Sequence, residues 1–532
     1  MFQEEKTRKI LVFSFTLVIV FSVLTVTQST FTKVFAVEDN DGVKEKIVKV
    51  MKRVEDIRGL KFKHDIPVEN MTREEFKEYL SREETATDED WELAQQEYEA
   101  LYILKENQNA KNITQSFYSS EVLGFYDHEK GRIVIVGSGL LDEEVLAHEL
   151  NHALIDQYFP EIFDFPENIT DDSFAVSALI EGDAVFTQDE YYRRCLTGVY
   201  ENCVFSSSYE DSGSALIPEG FVLIHIFPYI EGENFIEYFY RKGGWDSVNR
   251  LYEEPPESTE QIIHPEKYGV DKPVEVFVEN RCRGGWRILG EDELGEFAIF
   301  VMFWNWKVAH FSYKYGRASY SSIWSEGWDG DKIVVYKKTV NEKTKYGYVW
   351  RIVWDTVEDV KEFVEAYEDM LKRMGSVKLG DVWMVDEDDY VKIFVDGKTV
   401  TIVNAPSIRE LGEIYPQEFS PLKLNLQLES LLEEPITKLK VGEEGIWVID
   451  IFNNSTQNQP TLCIIQIKDK DGRVTYLSYI KGVIPKNKTY TFGVGWKPRK
   501  AGVYTVEVYA WLSWETPQPL SKPIKGTVVV TS

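Results

Sequence analysis

Beyond residue 26 the chain has no second uncharged apolar run of bilayer-spanning length, which places everything past residue 36 outside the membrane. Basic residues are in deficit: 59 Lys and Arg face 89 Asp and Glu, a formal net charge of −30. A surface of that sign repels a phosphate backbone, so nucleic acid is excluded as a partner. Cysteine is scarce, with four residues in 532, and histidine is nearly so, with seven. What does not run short is core material: 43% of residues are hydrophobic and 14% aromatic, so the chain does not read as disordered. Its length suggests about three structural units.

Residues Ile10 to Val26 form an apolar run preceded by Lys6, Arg8 and Lys9, the layout of an export signal. Val34-Phe35-Ala36 resembles a small-residue cleavage site. Residues 1–36 are therefore expected to be either a signal peptide or an uncleaved N-terminal membrane anchor, with the remainder extracellular or at the cell surface. Export makes the cysteines candidates for disulfides, not for a metal cluster. Cys195 and Cys203 bracket a seven-residue loop and are the favoured pair; Cys282 and Cys463 either pair across domains or stay free.

Residues 37–115 read as a lead-in of charged helices, with helix starts at the capping box Thr72 to Glu75 and near Thr87. Two apolar runs, 122–126 and 132–136, surround a Gly-containing turn and predict a hairpin. His128, in that turn, is expected to be exposed. An edge strand there could bind an extended peptide by strand addition. Helical patterns follow over 142–158, 171–194, 219–240, 245–252 and 291–309, then mixed strands and helices, giving an α+β region over 116–404. Asp386 to Asp389 reads as a solvated acidic turn. Ala405-Pro406 and Tyr415-Pro416 flank an expected linker, 405–420. From 421 to 532, short alternating strands predict an all-β, immunoglobulin-like sandwich without a catalytic constellation.

Within the segment 142–158 stands His148-Glu149-Leu150-Asn151-His152, an H-E-x-x-H. Residues four apart share a helix face, so the two imidazoles can hold one metal ion while Glu149 addresses a metal-bound water. A catalytic zinc takes three protein ligands and leaves its fourth position to water. The best third ligand is Glu181, 29 residues past His152, set among Ala178, Leu179, Ile180 and Ala184. A carboxylate among apolar residues is costly unless it meets a cation. The competing reading is a solvated Glu beside a Gly-Asp bend.

His148-Glu-Leu-Asn-His152 followed by Glu181 on a later helix resembles the gluzincin group of zinc metallopeptidases, to which thermolysin belongs. His148 to Gln157, Glu181-Gly-Asp183-Ala184 and Pro256-Glu-Ser-Thr-Glu-Gln-Ile-Ile-His-Pro265 resemble, more narrowly, a set of exported proteins with the same motif order. The resemblance covers about residues 115–375 and leaves out the sandwich. It implies a zincin-like fold, zinc (Zn2+) bound by His148, His152 and Glu181, and Glu149 as general base. One departure is plain: thermolysin has an Asp four residues after its third ligand that orients a zinc-bound His, and this chain has Val185 there. Metal-bound imidazoles need an acceptor on their other nitrogen, for which Asp183 and Asp156 are the candidates.

Such a site would hydrolyse a peptide bond in a protein or peptide substrate, with Glu149 taking the proton of the attacking water. The oxyanion calls for a further donor; His264 and Tyr268 are the candidates, with a hydrogen-bonded structural histidine as the competing reading of His264. The expectation is an exported zinc metallopeptidase. The alternatives are a catalytically inactive, peptidase-like cell-surface binding or structural protein, and a different zinc hydrolase.

Overall fold

The computed structural model describes residues 16–19, 40–137, 142–164, 171–205, 217–416, 422–432, 434–453, 458–514 and 519–532. The expected signal or anchor lies outside these residues except at Thr16–Ile19. The chain divides into two compact units, Met1–Tyr415 and Pro416–Ser532, and the lead-in and the α+β region both fall in the first.

The first unit begins with β1 (Thr16–Ile19), α1 (Asn40–Arg58), β2 (Val68–Met71), α2 (Arg73–Glu83), α3 (Asp88–Ala100) and α4 (Ala110–Glu121). Capping boxes start α2 at Thr72 and α3 at Thr87, where hydroxyl and carboxylate reciprocally satisfy free helix-end amides. The predicted hairpin is β3 (Val122–Asp127) and β4 (Arg132–Val136). The lead-in is not purely helical: β2 pairs parallel with β4, while β1 lies antiparallel on β3 with Thr16 opposite Tyr126. The polar four-residue segment Val68-Glu-Asn-Met carries no alternation that would reveal a strand.

Next come α5 (Glu143–Asp156), α6 (Asp171–Leu196), α7 (Glu219–Arg250) and α8 (Thr259–Ile263). A disulfide joins Cys195 and Cys203 as expected, and Cys282 and Cys463 are free thiols. The two helices predicted over 219–252 are halves of α7 divided at Gly243 and Gly244, where Gly244 takes φ 63°. Helices α6 and α7 meet backbone to backbone: a Cβ on Gly182 would lie 2.1 Å from the Gly232 carbonyl carbon, and one on Gly232 would lie 2.1 Å from the Ala178 oxygen. Only a pair of glycines permits this approach, and Glu181 precedes one of them.

The rest of the unit is β5 (Arg287–Asp292), α9 (Gly295–Asn305), the small hairpin β6 (Ser312–Lys314) and β7 (Arg317–Ser319), β8 (Trp328–Val340), β9 (Lys343–Trp354), α10 (Val357–Arg373), β10 (Val377–Leu379), β11 (Val382–Asp386), β12 (Asp389–Asp396), β13 (Thr399–Ala405) and α11 (Ile408–Ile414). An antiparallel seven-stranded sheet runs β10-β11-β12-β13-β9-β8-β5. Its Trp350 and Trp354 share one core with Phe227 of α7 and Phe297 and Phe300 of α9. The stretch expected as a linker, 405–420, contains α11, capped by Ser407 and burying Leu411 and Ile414. Of the two X-Pro pairs that suggested a break, Tyr415-Pro416 is where the two units divide, and between the pairs lies a short capped helix.

The second unit is all-β: β14 (Leu422–Glu429), β15 (Lys438–Lys440), β16 (Gly445–Asn453), β17 (Gln459–Lys468), β18 (Val474–Ile484), β19 (Thr489–Trp496), β20 (Gly502–Trp511) and β21 (Ile524–Thr531). Sheets β14-β16-β19 and β15-β21-β20-β17-β18 share a core of Trp447, Ile449, Ile465, Val506 and Val528. The alternation reads out directly in β20: Val506, Val508 and Ala510 are buried, while Val503 is exposed.

The glycine contact yields the first prediction. Gly182→Ala must separate α6 from α7, and overpacking of this kind costs about 1–3 kcal/mol or more. Thermal or urea denaturation should show that loss, and an unchanged midpoint would contradict the backbone contact.

Candidate metal centre

Helix α5 starts at Asp142, whose carboxylate accepts from the Glu144 amide. From Val145 to Ile155 every residue is buried, so α5 is an interior helix lacking a polar face. Its first turn is anchored by Glu143, which takes the Tyr191 hydroxyl at 2.6 Å and forms ion pairs with Lys49 and Arg53 of α1. Polar residues in such a helix must find partners in neighbouring elements.

His148 and His152 find theirs in Glu181 of α6. His148 Nε2 lies 3.1 Å and His152 Nε2 3.5 Å from the same oxygen, Glu181 Oε2. The imidazoles stand edge to face, with ring centres 4.7 Å apart. One ligand atom from each of the three residues falls within 4.8 Å of the others, and all three residues are buried. Burial pushes the His152 imidazole below its usual range. Burial would raise the Glu181 carboxyl, yet the two imidazoles outweigh it and hold it below the ordinary value.

The second nitrogen of His148 decides what this arrangement can hold. Nδ1 lies 3.1 Å from Gln188 Oε1, so both ring nitrogens face oxygens. A neutral imidazole has one N–H and can satisfy only one of them. A cation at Nε2 satisfies the other, since His148, His152 and Glu181 would then all present lone pairs to it. His152 Nε2 is buried and has only its long, 3.5 Å approach to Glu181 Oε2, which leaves its lone pair available to a metal ion. The residues present therefore fit a zinc ion with two imidazoles and a carboxylate.

Glu149, fully buried on the same helix, has no hydrogen-bond partner on either oxygen. Burial first and the charge of Glu181 second raise its carboxyl well above the carboxylate range, opposed by the Tyr126 backbone. It faces β3: a Cβ on Gly124 would come within 3.3 Å of Glu149 Oε1. The missing side chain at Gly124 keeps the strand close to this carboxylate.

The expected orienting carboxylates are engaged elsewhere. Asp183 Oδ2 accepts from Arg58 at 3.0 Å and from the Tyr252 hydroxyl at 2.7 Å, and Arg58, buried, lies 3.8 Å over the Trp245 ring. Asp156 accepts from the Tyr126 hydroxyl at 2.5 Å. His148 Nδ1 meets Gln188 instead, whose signal was its place seven residues after Glu181 on one helix. Tyr229 of α7, stacked on His148 at 6.3 Å and 22°, was equally unanticipated; a chain with 29 tyrosines does not single it out.

His264 and Tyr268 have other engagements. His264, the residue after α8, is bonded through Nε2 to Glu296 Oε1 of α9 at 3.1 Å; burial lowers its imidazole, but the Glu296 charge prevails and raises it. The competing reading, a hydrogen-bonded structural histidine, describes this geometry. The Tyr268 hydroxyl donates to the Glu254 carbonyl and its ring packs on Phe235 and Phe239. His128 is half-buried against Phe163, 5.9 Å between rings, where the sequence suggested exposure. A second acidic group, Glu260, Asp271 and Asp355, already surrounds a cation: Lys267 Nζ lies 2.6, 3.2 and 3.0 Å from the three carboxylates.

Comparison with known proteins adds little here. A family described as Domain of unknown function (DUF8575) matches residues 286–415, the end of the first unit. No curated protein matches the chain. Among solved structures, the CARDB domain of the PF1109 protein from Pyrococcus furiosus, in complex with di-metal ions, is 13% identical over 21% of this chain and 96% of that one, TM-score 0.17. The C-terminal domain of wzt is 13% identical over 22% and 80%, TM-score 0.19. A β-glucosidase from Listeria innocua in complex with glucose is 14% identical over 22% and 17%, TM-score 0.17. Scores this low carry no argument about the metal centre.

Zinc that binds the folded chain alone stabilises it by about 2.7 kcal/mol at a hundredfold excess over Kd. Glu181→Ala should abolish most of that gain and weaken zinc binding strongly, measured by chelator competition. Unchanged affinity would remove Glu181 from the ligand set.

Proposed function

We propose that this chain is an exported zinc-dependent metallopeptidase of the gluzincin kind, with a zincin-like first unit and an appended immunoglobulin-like sandwich that holds it at a cell surface or contacts substrate. The observation that carries the reading is the convergence of His148, His152 and Glu181 on one buried point, beside the unpartnered carboxylate of Glu149.

Zinc in this position would lower the pKa of a bound water toward 7 and polarise a carbonyl oxygen. The charge of a zinc ion nearby would counter the shift that burial imposes and keep Glu149 ionised, so that it takes the proton as water attacks the peptide carbonyl and the same carboxyl delivers it to the leaving amine nitrogen. Burial of α5 keeps bulk water from competing for that proton. Strand β3 runs past Glu149 at Gly124, and it lies between β4 and Thr16–Ile19, so an extended peptide substrate would add to it only in place of Thr16–Ile19. A disulfide between Cys195 and Cys203 accords with export.

Purified full-length protein should carry close to one zinc per chain by elemental analysis and cleave peptides from a mixed library in a chelator-sensitive way. Glu149→Gln should keep the zinc and lose turnover by about 10²–10⁴-fold, because it deletes the base and no ligand. Turnover that persists in this variant would exclude Glu149 as the base, and a chain that takes up no zinc would end the enzyme reading.

A further inference from the structure

Resting on the zinc reading, we propose that Gln188 is the positioning residue that selects the metal-binding tautomer of His148, in place of the carboxylate used by the peptidases this chain resembles. Four residues after Glu181 stands Val185, which has no acceptor to offer. Seven residues after it, within about 20° of the same helix face and roughly 10.5 Å further along the axis, stands Gln188. One imidazole of α5 thus bridges two side chains of α6: Nε2 faces Glu181 Oε2 at 3.1 Å and Nδ1 faces Gln188 Oε1 at 3.1 Å.

The proton count makes this bridge selective. With its hydrogen on Nδ1, His148 donates to the Gln188 carbonyl and turns the Nε2 lone pair toward His152 and Glu181, where the ion would sit. With its hydrogen on Nε2, the ring would set a lone pair on Nδ1 against an amide oxygen, and no lone pair would be left for a metal. An amide turned the other way would hand Nδ1 an N–H and favour that second, non-binding tautomer. The carbonyl-inward orientation of Gln188 is the one that suits a metal ligand.

A neutral acceptor also differs in strength from a charged one. A carboxylate on Nδ1 raises the basicity of the imidazole and adds negative charge beside the ion; a carboxamide fixes the tautomer without adding that charge. Gln188 therefore leaves a bound zinc with more of its charge uncompensated.

The test uses the full-length chain, loaded with zinc or with Co(II) alone, and reads metal affinity and the Co(II) visible spectrum in addition to turnover. Gln188→Leu should weaken zinc binding by about 10–100-fold and alter the Co(II) bands. Gln188→Glu, which keeps the acceptor, should restore affinity to the level of the unaltered chain or above it. Far-UV circular dichroism of the metal-free variants checks folding, and Gln188→Met gives the same comparison should the leucine variant misfold. Unchanged affinity and unchanged Co(II) bands in Gln188→Leu, with the unaltered chain binding zinc normally, would overturn this inference alone. So would a glutamate variant as weak as the leucine one. An unaltered chain that binds no zinc would overturn the zinc reading and this inference with it.

Discussion

One carboxylate oxygen, Glu181 Oε2, lies near two imidazole nitrogens, and all three residues are buried. Groups of this polarity are expensive to bury, and they persist only when paired or when they coordinate an ion. Much of the first unit is arranged around that constraint. Helix α5 brings both histidines on one face, α6 brings the carboxylate from across the interface, and the fit between α6 and α7 sets how deep that carboxylate sits.

The surrounding contacts are of two kinds. Backbone contact does the close positioning: Gly182 against Gly232 lets α6 sink onto α7, and Gly124 lets β3 approach Glu149. Charge pairing does the rest at the periphery of the same helices. Arg58 at the end of α1 neutralises Asp183, two residues from the ligand, and Glu143 at the start of α5 is tied back to Lys49 and Arg53. Helix α1, which read as part of a lead-in, is thus a clamp on both α5 and α6, because its cations answer buried carboxylates whose other partners are neutral hydroxyls.

What the sequence made readable follows the strength of local signals. H-E-x-x-H, the capping box at Thr72, the helix start near Thr87 and the hairpin turn each depend on residues close in sequence, and each appears where the pattern placed it; the period-two alternation of β20 does so except at Glu507, which is buried. Glu181 was readable because a lone acid among Ala178, Leu179, Ile180 and Ala184 demands an explanation. Long-range pairings were not: the Arg58–Asp183 ion pair spans 125 residues and the His264–Glu296 bond 32, with no periodicity to announce either. Gln188 shows a narrower failure. A carboxylate near the ligand stands out as an acceptor for an imidazole N–H, whereas an amide at position i+7, though helix geometry places it on the ligand's face as well, does not. The expected linker, 405–420, contains the boundary between the two units at Tyr415 and Pro416, but its first part folds as α11, because a proline pair marks the boundary of a helix as readily as a break between domains.

The central claim is that His148, His152 and Glu181 form one zinc site. Zinc-edge X-ray absorption of the zinc-loaded full-length chain tests it most directly. The account predicts a shell of nitrogen and oxygen at about 2.0–2.2 Å containing two imidazoles, with no sulfur at about 2.3 Å. The spectrum should change in His148→Ala. A sulfur-containing shell, an all-oxygen shell, or a spectrum that His148→Ala leaves unchanged would contradict it.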